Sequence, residues 1–115
     1  MIPMRDGVRI YTQVYSPKDL SKEYPILITR TPYGVGNYGP DEFRSDVGPS
    51  EEFTREGYIL VYQDVRGKGQ SGGLFFHHPV YIKDKKGSQD IDESSDLYDS
   101  IEWLLQKIPN HKNRI

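Results

Sequence analysis

Apolar positions along this chain cluster in a few patterned stretches separated by polar, glycine-rich spacers. Residues 9–15 alternate by two, with Ile10, Thr12 and Val14 on one face, which predicts a half-buried strand. The Asp6-Gly7 pair before it supplies the positive φ that a tight hairpin needs. Residues 25–31 hold the unbroken run Ile26-Leu27-Ile28, as expected of a strand covered on both faces. Pro32 ends it, because proline has no amide hydrogen to donate and restricts the residue before it. Residues 58–65 repeat the buried-strand pattern with Ile59-Leu60-Val61.

Residues 92–108 change period. Leu97, Ile101, Leu104 and Ile108 fall on one helical stripe, with Tyr98 and Leu105 beside it. Asp92 or Ser94 suits the N-cap, Lys107 the last turn, and Pro109-Asn110 the stop. A short helix is predicted over 49–56, with Phe53 as its anchor and Gly57 as its terminator. Residues 34–48 and 66–91 carry glycine, proline and charge without periodicity and predict long excursions. Strands separated by helices imply an α/β fold, a mostly parallel sheet with flanking helices. Such sheets place their sites at the carboxyl ends of the strands.

Composition limits what this architecture can be. A chain of 115 residues fits one domain, which buries roughly two thirds of its extended surface. Only 35% of residues are hydrophobic and the mean hydropathy is -0.73, below the roughly 45–50% apolar usage of ordinary domains. The chain is therefore loop-rich or lacks apolar segments that would complete its core. Fifteen basic and 17 acidic residues are interspersed, for a net charge of -2. No one-sign field exists to hold nucleic acid. The absence of cysteine removes disulfides, thiol nucleophiles and thiolate metal sites. No apolar run approaches the roughly 18 residues of a membrane span, and no signal-peptide pattern is present.

Several motifs offer chemistry. Gly67-Lys68-Gly69-Gln70-Ser71-Gly72 matches the dinucleotide-binding G-x-G-x-x-G directly after a strand, with Asp90 or Asp92 about 20 positions on. Its context is poor, since Leu74-Phe75-Phe76-His77-His78-Pro79 does not open a helix. His77-His78 lack a regularly spaced third ligand, and the acids at 90–99 do not follow a calcium-loop spacing; no metal or cofactor is assigned. Those acids suit the start of a helix. Arg30 and Asp64 both lie near strand ends, where burial is costly without a partner. An Arg30–Asp64 contact, or Asp64 with Arg66, is the structural expectation. Tyr33 follows a buried strand and a backbone-fixing proline, so its phenol is held at the top of the sheet. There it is either a packing residue or a donor to a developing oxyanion.

Taken in order, the blocks Ile2-Pro3-Met4-Arg5-Asp6-Gly7-Val8, Thr29-Arg30-Thr31-Pro32-Tyr33, Gly57-Tyr58, Asp64-Val65-Arg66-Gly67 and Asp99-Ser100-Ile101-Glu102-Trp103-Leu104 resemble the serine hydrolase family of X-prolyl dipeptidyl peptidases, cocaine esterase, α-amino acid ester hydrolases and glutaryl-cephalosporin acylases. The resemblance implies an α/β-hydrolase fold, cleavage of an ester or amide of a small-molecule substrate by a Ser-His-Asp triad, and a secreted or periplasmic enzyme. It also implies that Tyr33 donates its hydroxyl to the oxyanion hole, with Arg30, Asp64 and Arg66 structural near the site.

The triad departs from that pattern. The G-x-S-x-G elbow is expected a few residues beyond Ile115, and Ser71 lies in a glycine loop without an elbow. Residues 1–115 are therefore expected to be the N-terminal part of a catalytic domain, inactive alone. The alternative is a non-catalytic interaction module that keeps a hydrolase-like half-sheet. In either case the strand at 26–31 is expected at an open apolar edge, which invites pairing with a second copy.

Overall fold

The computed structural model describes residues 1–45, 47–75 and 79–115. Its centre is the strand predicted most strongly. Ile59–Asp64 (β5) lies between two others and buries five of its six residues, which is why its apolar run shows no alternation. On one side Ile26–Thr31 (β4) pairs with it in parallel, from Ile26 opposite Ile59 to Thr31 opposite Asp64. On the other, Thr12–Tyr15 (β3) pairs antiparallel, from Thr12 opposite Gln63 to Tyr15 opposite Leu60. The sheet is thus mixed, and β4 is an edge.

The strand expected over 9–15 divides in two. Arg9–Ile10 (β2) forms a small hairpin with Ile2–Pro3 (β1), closed by hydrogen bonds from the Met4 amide to the Val8 carbonyl and from the Gly7 amide to the Met4 carbonyl. Tyr11 interrupts the ladder, because its amide donates to Ser71 Oγ at 2.8 Å instead of to a strand.

Two helices complete the order. Glu51–Glu56 (α1) is a single short turn, and Phe53 is half-buried against the Tyr58 ring at 5.1 Å. Glu93–Lys107 (α2) is capped by Asp92, whose side chain accepts from the Ser95 amide while Ser95 Oγ accepts from the Asp92 amide. This reciprocal cap satisfies two otherwise orphan donors.

The core lies between α2, the hairpin and one face of the sheet: Ile2, Met4, Ile10, Tyr24, Ile26, Ile59, Val61 and Leu104. Each such aliphatic side chain contributes about 1.5–3 kcal/mol on burial. The helix is rotated from its apolar stripe. Ser95, Asp96, Ser100 and Leu104 are the buried positions, and Leu97 and Ile101 are only half-buried. The cause is polar. Gln63, fully buried on β5, donates to Thr12 Oγ1 at 3.0 Å and to Ser100 Oγ at 2.9 Å and accepts from Arg30 Nε at 2.7 Å. A buried amide of this kind must be satisfied, so α2 turns Ser100 toward the sheet.

Arg66 makes the same demand more strongly. Its guanidinium, 2% exposed, donates from Nη1 and Nη2 to Asp6 at 2.7 and 3.1 Å, and from Nε and Nη2 to Asp96 at 2.9 and 2.7 Å. Burial works against its charge, but the two carboxylates outweigh that effect and raise its pKa. Burial likewise opposes ionisation of Asp6, and Arg66 more than compensates, lowering the Asp6 pKa. The network joins hairpin, sheet end and helix start. A bidentate Arg5–Asp99 contact at 2.8 and 3.0 Å repeats the hairpin-to-helix link nearer the surface.

The outer edge of β4 is partly occupied. Residues 110–114 run parallel to its approach: the Tyr24 amide donates to the Asn110 carbonyl at 2.7 Å, the Lys112 amide to the Tyr24 carbonyl at 3.0 Å, and the Ile26 amide to the Arg114 carbonyl at 2.9 Å. Beyond Ile26, no strand pairs with that edge among the described residues.

Replacing Arg66 with methionine leaves two buried carboxylates facing each other, and stability should fall by about 3–5 kcal/mol in chemical denaturation, the usual cost of breaking a buried ion pair. Adding Asp6→Asn and Asp96→Asn should recover part of the loss. A loss below about 1 kcal/mol would show that the network contributes no more than a surface pair.

Candidate active site

The carboxyl ends of β4 and β5 carry the residues expected to matter, and the pleat sorts them. Arg30 stands opposite Gln63, and Thr31 opposite Asp64. Successive side chains of a strand point to opposite faces, so Arg30 faces α2 while Asp64 faces away from it. The expected Arg30–Asp64 contact therefore does not form. Arg30 instead pairs with Glu93 at 2.9 Å, and its Nη2 is buried without a partner among the described residues. Asp64 does not pair with Arg66 either, whose guanidinium turns to Asp6 and Asp96.

Tyr33 sits just past the end of β4. Its amide donates to Thr31 Oγ1 at 3.1 Å, and the side chain is 93% exposed. The phenol thus projects into open space at the tip of the sheet, not into the core. Gly34 follows at a φ of 86°, and a Cβ there would lie 3.0 Å from the Tyr38 hydroxyl. A side chain at this reversal would be strained in both backbone and packing.

Asp64 is fully buried and anchors the loops on either side. Its Oδ1 accepts from the Val35 amide at 2.7 Å, and its Oδ2 accepts from the Tyr38 hydroxyl at 2.7 Å and the Gln70 amide at 2.9 Å. Burial first, then the adjacent carboxylate, raise the pKa of the Tyr38 phenol. The Tyr38 ring meets Tyr11 edge-on at 5.0 Å. Side chains also hold the 34–48 excursion: Gln13 Nε2 donates to the Gly36 carbonyl at 2.8 Å, Arg44 Nη1 to the Val35 carbonyl at 2.8 Å, and the Gly48 amide to the Tyr62 hydroxyl at 2.7 Å.

The glycine loop has no free cradle for phosphate. The Gly67, Lys68, Gln70, Ser71 and Gly72 amides all donate within the protein, to Gly72, Val65, Asp64, Lys68 and Arg9. Phosphate loops keep such amides free for the ligand, so the dinucleotide reading fails on geometry. A Cβ at Gly69 would run into the Asp64 carboxylate, which gives that glycine a packing reason. Ser71 is equally engaged, accepting from the Tyr11 amide and donating to the Asp64 carbonyl at 2.7 Å.

Among the described residues no serine hydroxyl is hydrogen-bonded to a histidine. His111 accepts at Nδ1 from the Asn113 amide at 3.1 Å, which leaves Nε2 to donate to the Leu105 carbonyl at 2.7 Å. The pair His77-His78 lies outside the described residues. A surface hollow of ≈ 770 Å³ beside the start of α1 is lined by neither Tyr33 nor Asp64. The candidate site is thus an open rim at the sheet end.

Tyr38 supports this rim through Asp64, while Asp6, Asp96 and Gln63 hold the hairpin and α2 to the sheet; none was singled out from sequence. Asp6 reads as a turn former and Asp96 as a helix-start acid, and both readings are true of their local positions. Their convergence on Arg66 is set by tertiary packing alone.

The loop before α2 is tied to the Asp92 cap. The Ile82 amide and Lys85 ammonium reach Asp92 Oδ2, each at 2.6 Å, and the Glu93 amide donates to the Pro79 carbonyl at 3.2 Å. Burial disfavours the Asp92 carboxylate, but Lys85 and the Ile82 and Ser95 amides outweigh it, holding its pKa at about 2 against an ordinary 3.8.

Comparison with known proteins places this arrangement. The family profile described as X-Pro dipeptidyl-peptidase (S15 family) matches residues 6–115. The cocaine esterase of Rhodococcus sp. (strain MB1 Bresler) is 33% identical over 112 residues, which span 93% of this chain and 16% of that enzyme. An aminopeptidase structure from the marine sediment archaeon Thaumarchaeota archaeon superposes with a TM-score of 0.76 at 36% identity, over 96% of this chain and 19% of that one. A selenomethionine-labelled α-amino acid ester hydrolase gives a TM-score of 0.76 at 34% identity, over 98% and 19%. The chain thus spans less than a fifth of each of these relatives.

A carboxylate held below its ordinary pKa stabilises the fold above that ordinary value, and the contribution fades as pH falls toward the folded value. Asp92 should therefore contribute fully above about pH 4 and lose its contribution toward about pH 2. Denaturant midpoints for Asp92→Asn should be lower at neutral pH and less sensitive to acid over that interval. Parallel pH profiles for the parent and the variant would exclude this role.

Proposed function

We propose, since the chain belongs to the X-Pro dipeptidyl-peptidase family, that it forms part of a hydrolase domain in which the Tyr33 hydroxyl donates to the oxyanion created when a serine attacks an ester or amide carbonyl. Family members are hydrolases of esterase and peptidase type, and the fold is that of the α/β-hydrolase-type enzymes. The serine, its histidine and its acid lie outside these 115 residues, and the chain alone is inactive. The substrate is a small-molecule ester or amide.

One observation carries this reading. The exposed Tyr33 phenol stands at the tip of β4, beside an edge that residues 110–114 already approach in parallel. A strand continuing along that line would end next to Tyr33, where an attacking serine and a phenolic donor face one carbonyl. A hydroxyl aimed at the developing oxyanion strengthens its bond as negative charge grows, which accelerates the chemical step. The engagement of Ser71 with Tyr11 and Asp64 supports the same reading, because it leaves that serine no part in attack.

In protein that carries the serine, Tyr33→Phe should lower kcat for p-nitrophenyl acetate about 10²–10³-fold, as loss of one oxyanion donor does. An unchanged kcat would remove the role assigned to Tyr33. Residues 1–115 alone, with the outer edge of β4 unpaired beyond Ile26 among the described residues, should self-associate through that edge, seen as a concentration-dependent rise in mass by light scattering. A monomer at every concentration would reject the pairing.

A further inference from the structure

Among the described residues three carboxylates are fully buried: Asp64, Asp92 and Asp96. Asp92 meets Lys85 and Asp96 meets Arg66, whereas Asp64 has no ion pair among the described residues. A carboxylate buried without a cation is costly unless its oxygens are saturated with hydrogen bonds. Asp64 uses its oxygens on Val35, Tyr38 and Gln70, three donors from two loops.

The position of those donors is informative. Val65, the next residue, donates its amide to the Thr31 carbonyl at 3.0 Å, two residues before Tyr33. Asp64 itself holds the amide of Val35, two residues after Tyr33, at 2.7 Å. The end of β5 therefore grips the chain on both sides of Tyr33. The remaining Asp64 contacts tie that grip to Tyr38 on one loop and to Gln70 on the other.

We infer that Asp64 is a positioning residue for the Tyr33 hydroxyl, fixing the backbone that carries it and coupling that backbone to the glycine loop. The inference rests on the oxyanion role proposed for Tyr33. It explains why an acid occupies a site with no cation, since only a carboxylate accepts on both oxygens. Asparagine has the same shape but presents NH₂ in place of one oxygen. Whichever way it turns, an amide donor of one loop then faces another donor. Tyr33 itself is almost fully exposed, so its direction depends on its backbone rather than on side-chain packing.

The test uses protein that carries the serine, with Asp64→Asn, Tyr33→Phe and the double variant assayed on p-nitrophenyl acetate. Asp64→Asn should lower kcat about 10- to 10²-fold, the order expected for small misplacement of a catalytic group, with KM little changed. In the Tyr33→Phe background it should cost almost nothing more, because residues acting through one another are not additive. Amide exchange at Val35 and Gln70 should accelerate in Asp64→Asn. If Asp64→Asn leaves kcat intact while Tyr33→Phe lowers it, positioning is overturned and the Tyr33 role stands; additive losses overturn positioning in the same way. If Tyr33→Phe has no effect, both fall together. Should Asp64→Asn fail to fold, Tyr38→Phe removes one donor and keeps the carboxylate. A smaller fall in kcat, absent when Tyr33 is phenylalanine, supports the inference, and an unchanged kcat overturns it.

Discussion

The contact of Arg66 with Asp6 and Asp96 is the constraint around which this fold is arranged. One guanidinium makes four charge-assisted hydrogen bonds at 2.7–3.1 Å while almost completely removed from water. Planar geometry suits it to two carboxylates at once, which lysine does not match. Its partners lie in the hairpin turn and the first turn of α2, so the hairpin, the end of β5 and the helix must meet for all three charges to be compensated. The apolar core alone would tolerate other placements of α2. The ion network selects one of them.

The same logic shapes the helix interface. Gln63 needs acceptor and donor partners, and finds them in Thr12, Arg30 and Ser100. A polar row therefore crosses all three strands beneath α2, one residue before the row that ends in Asp64. These two layers divide the work at the sheet end. The α2 side carries the network that holds the elements together, and the opposite side holds the loops that display Tyr33. The pleat alternation assigns Arg30 to the first and Asp64 to the second.

Much of this was legible in sequence, and the limits have physical causes. The run Ile59-Leu60-Val61 marks β5 because burial on both faces leaves no alternation, whereas in β4 the similar run Ile26-Leu27-Ile28 buries only Ile26, because β4 is an edge strand and its other residues stay half-buried or exposed. Asp92, Lys107 and the Pro109 stop delimit α2 because caps are local. The face by which α2 docks was not legible. Periodicity counts apolar residues and points to Leu97 and Ile101, whereas the sheet asks for Asp96 and Ser100. Two strands appear where 9–15 promised one, because Tyr11 gives its amide to Ser71, sixty residues away in sequence. Adjacency at strand ends suggested an Arg30–Asp64 contact that parity forbids. The position of Tyr33 past the end of β4 was readable from Pro32, but the anchoring of its loop by Asp64 was not, since residues 34–38 carry no pattern.

The strand order has a kinetic consequence. The central strand is the last of the five to be synthesised, and its ladders join Ile26 to Ile59 and Tyr15 to Leu60. No part of the three-stranded sheet can close until β5 begins to leave the ribosome, and each closure bears the entropy of a long intervening loop. Folding dominated by such distant pairings is slow. Until β5 emerges, the nascent β3 and β4 segments therefore lack the strand that joins them in this sheet.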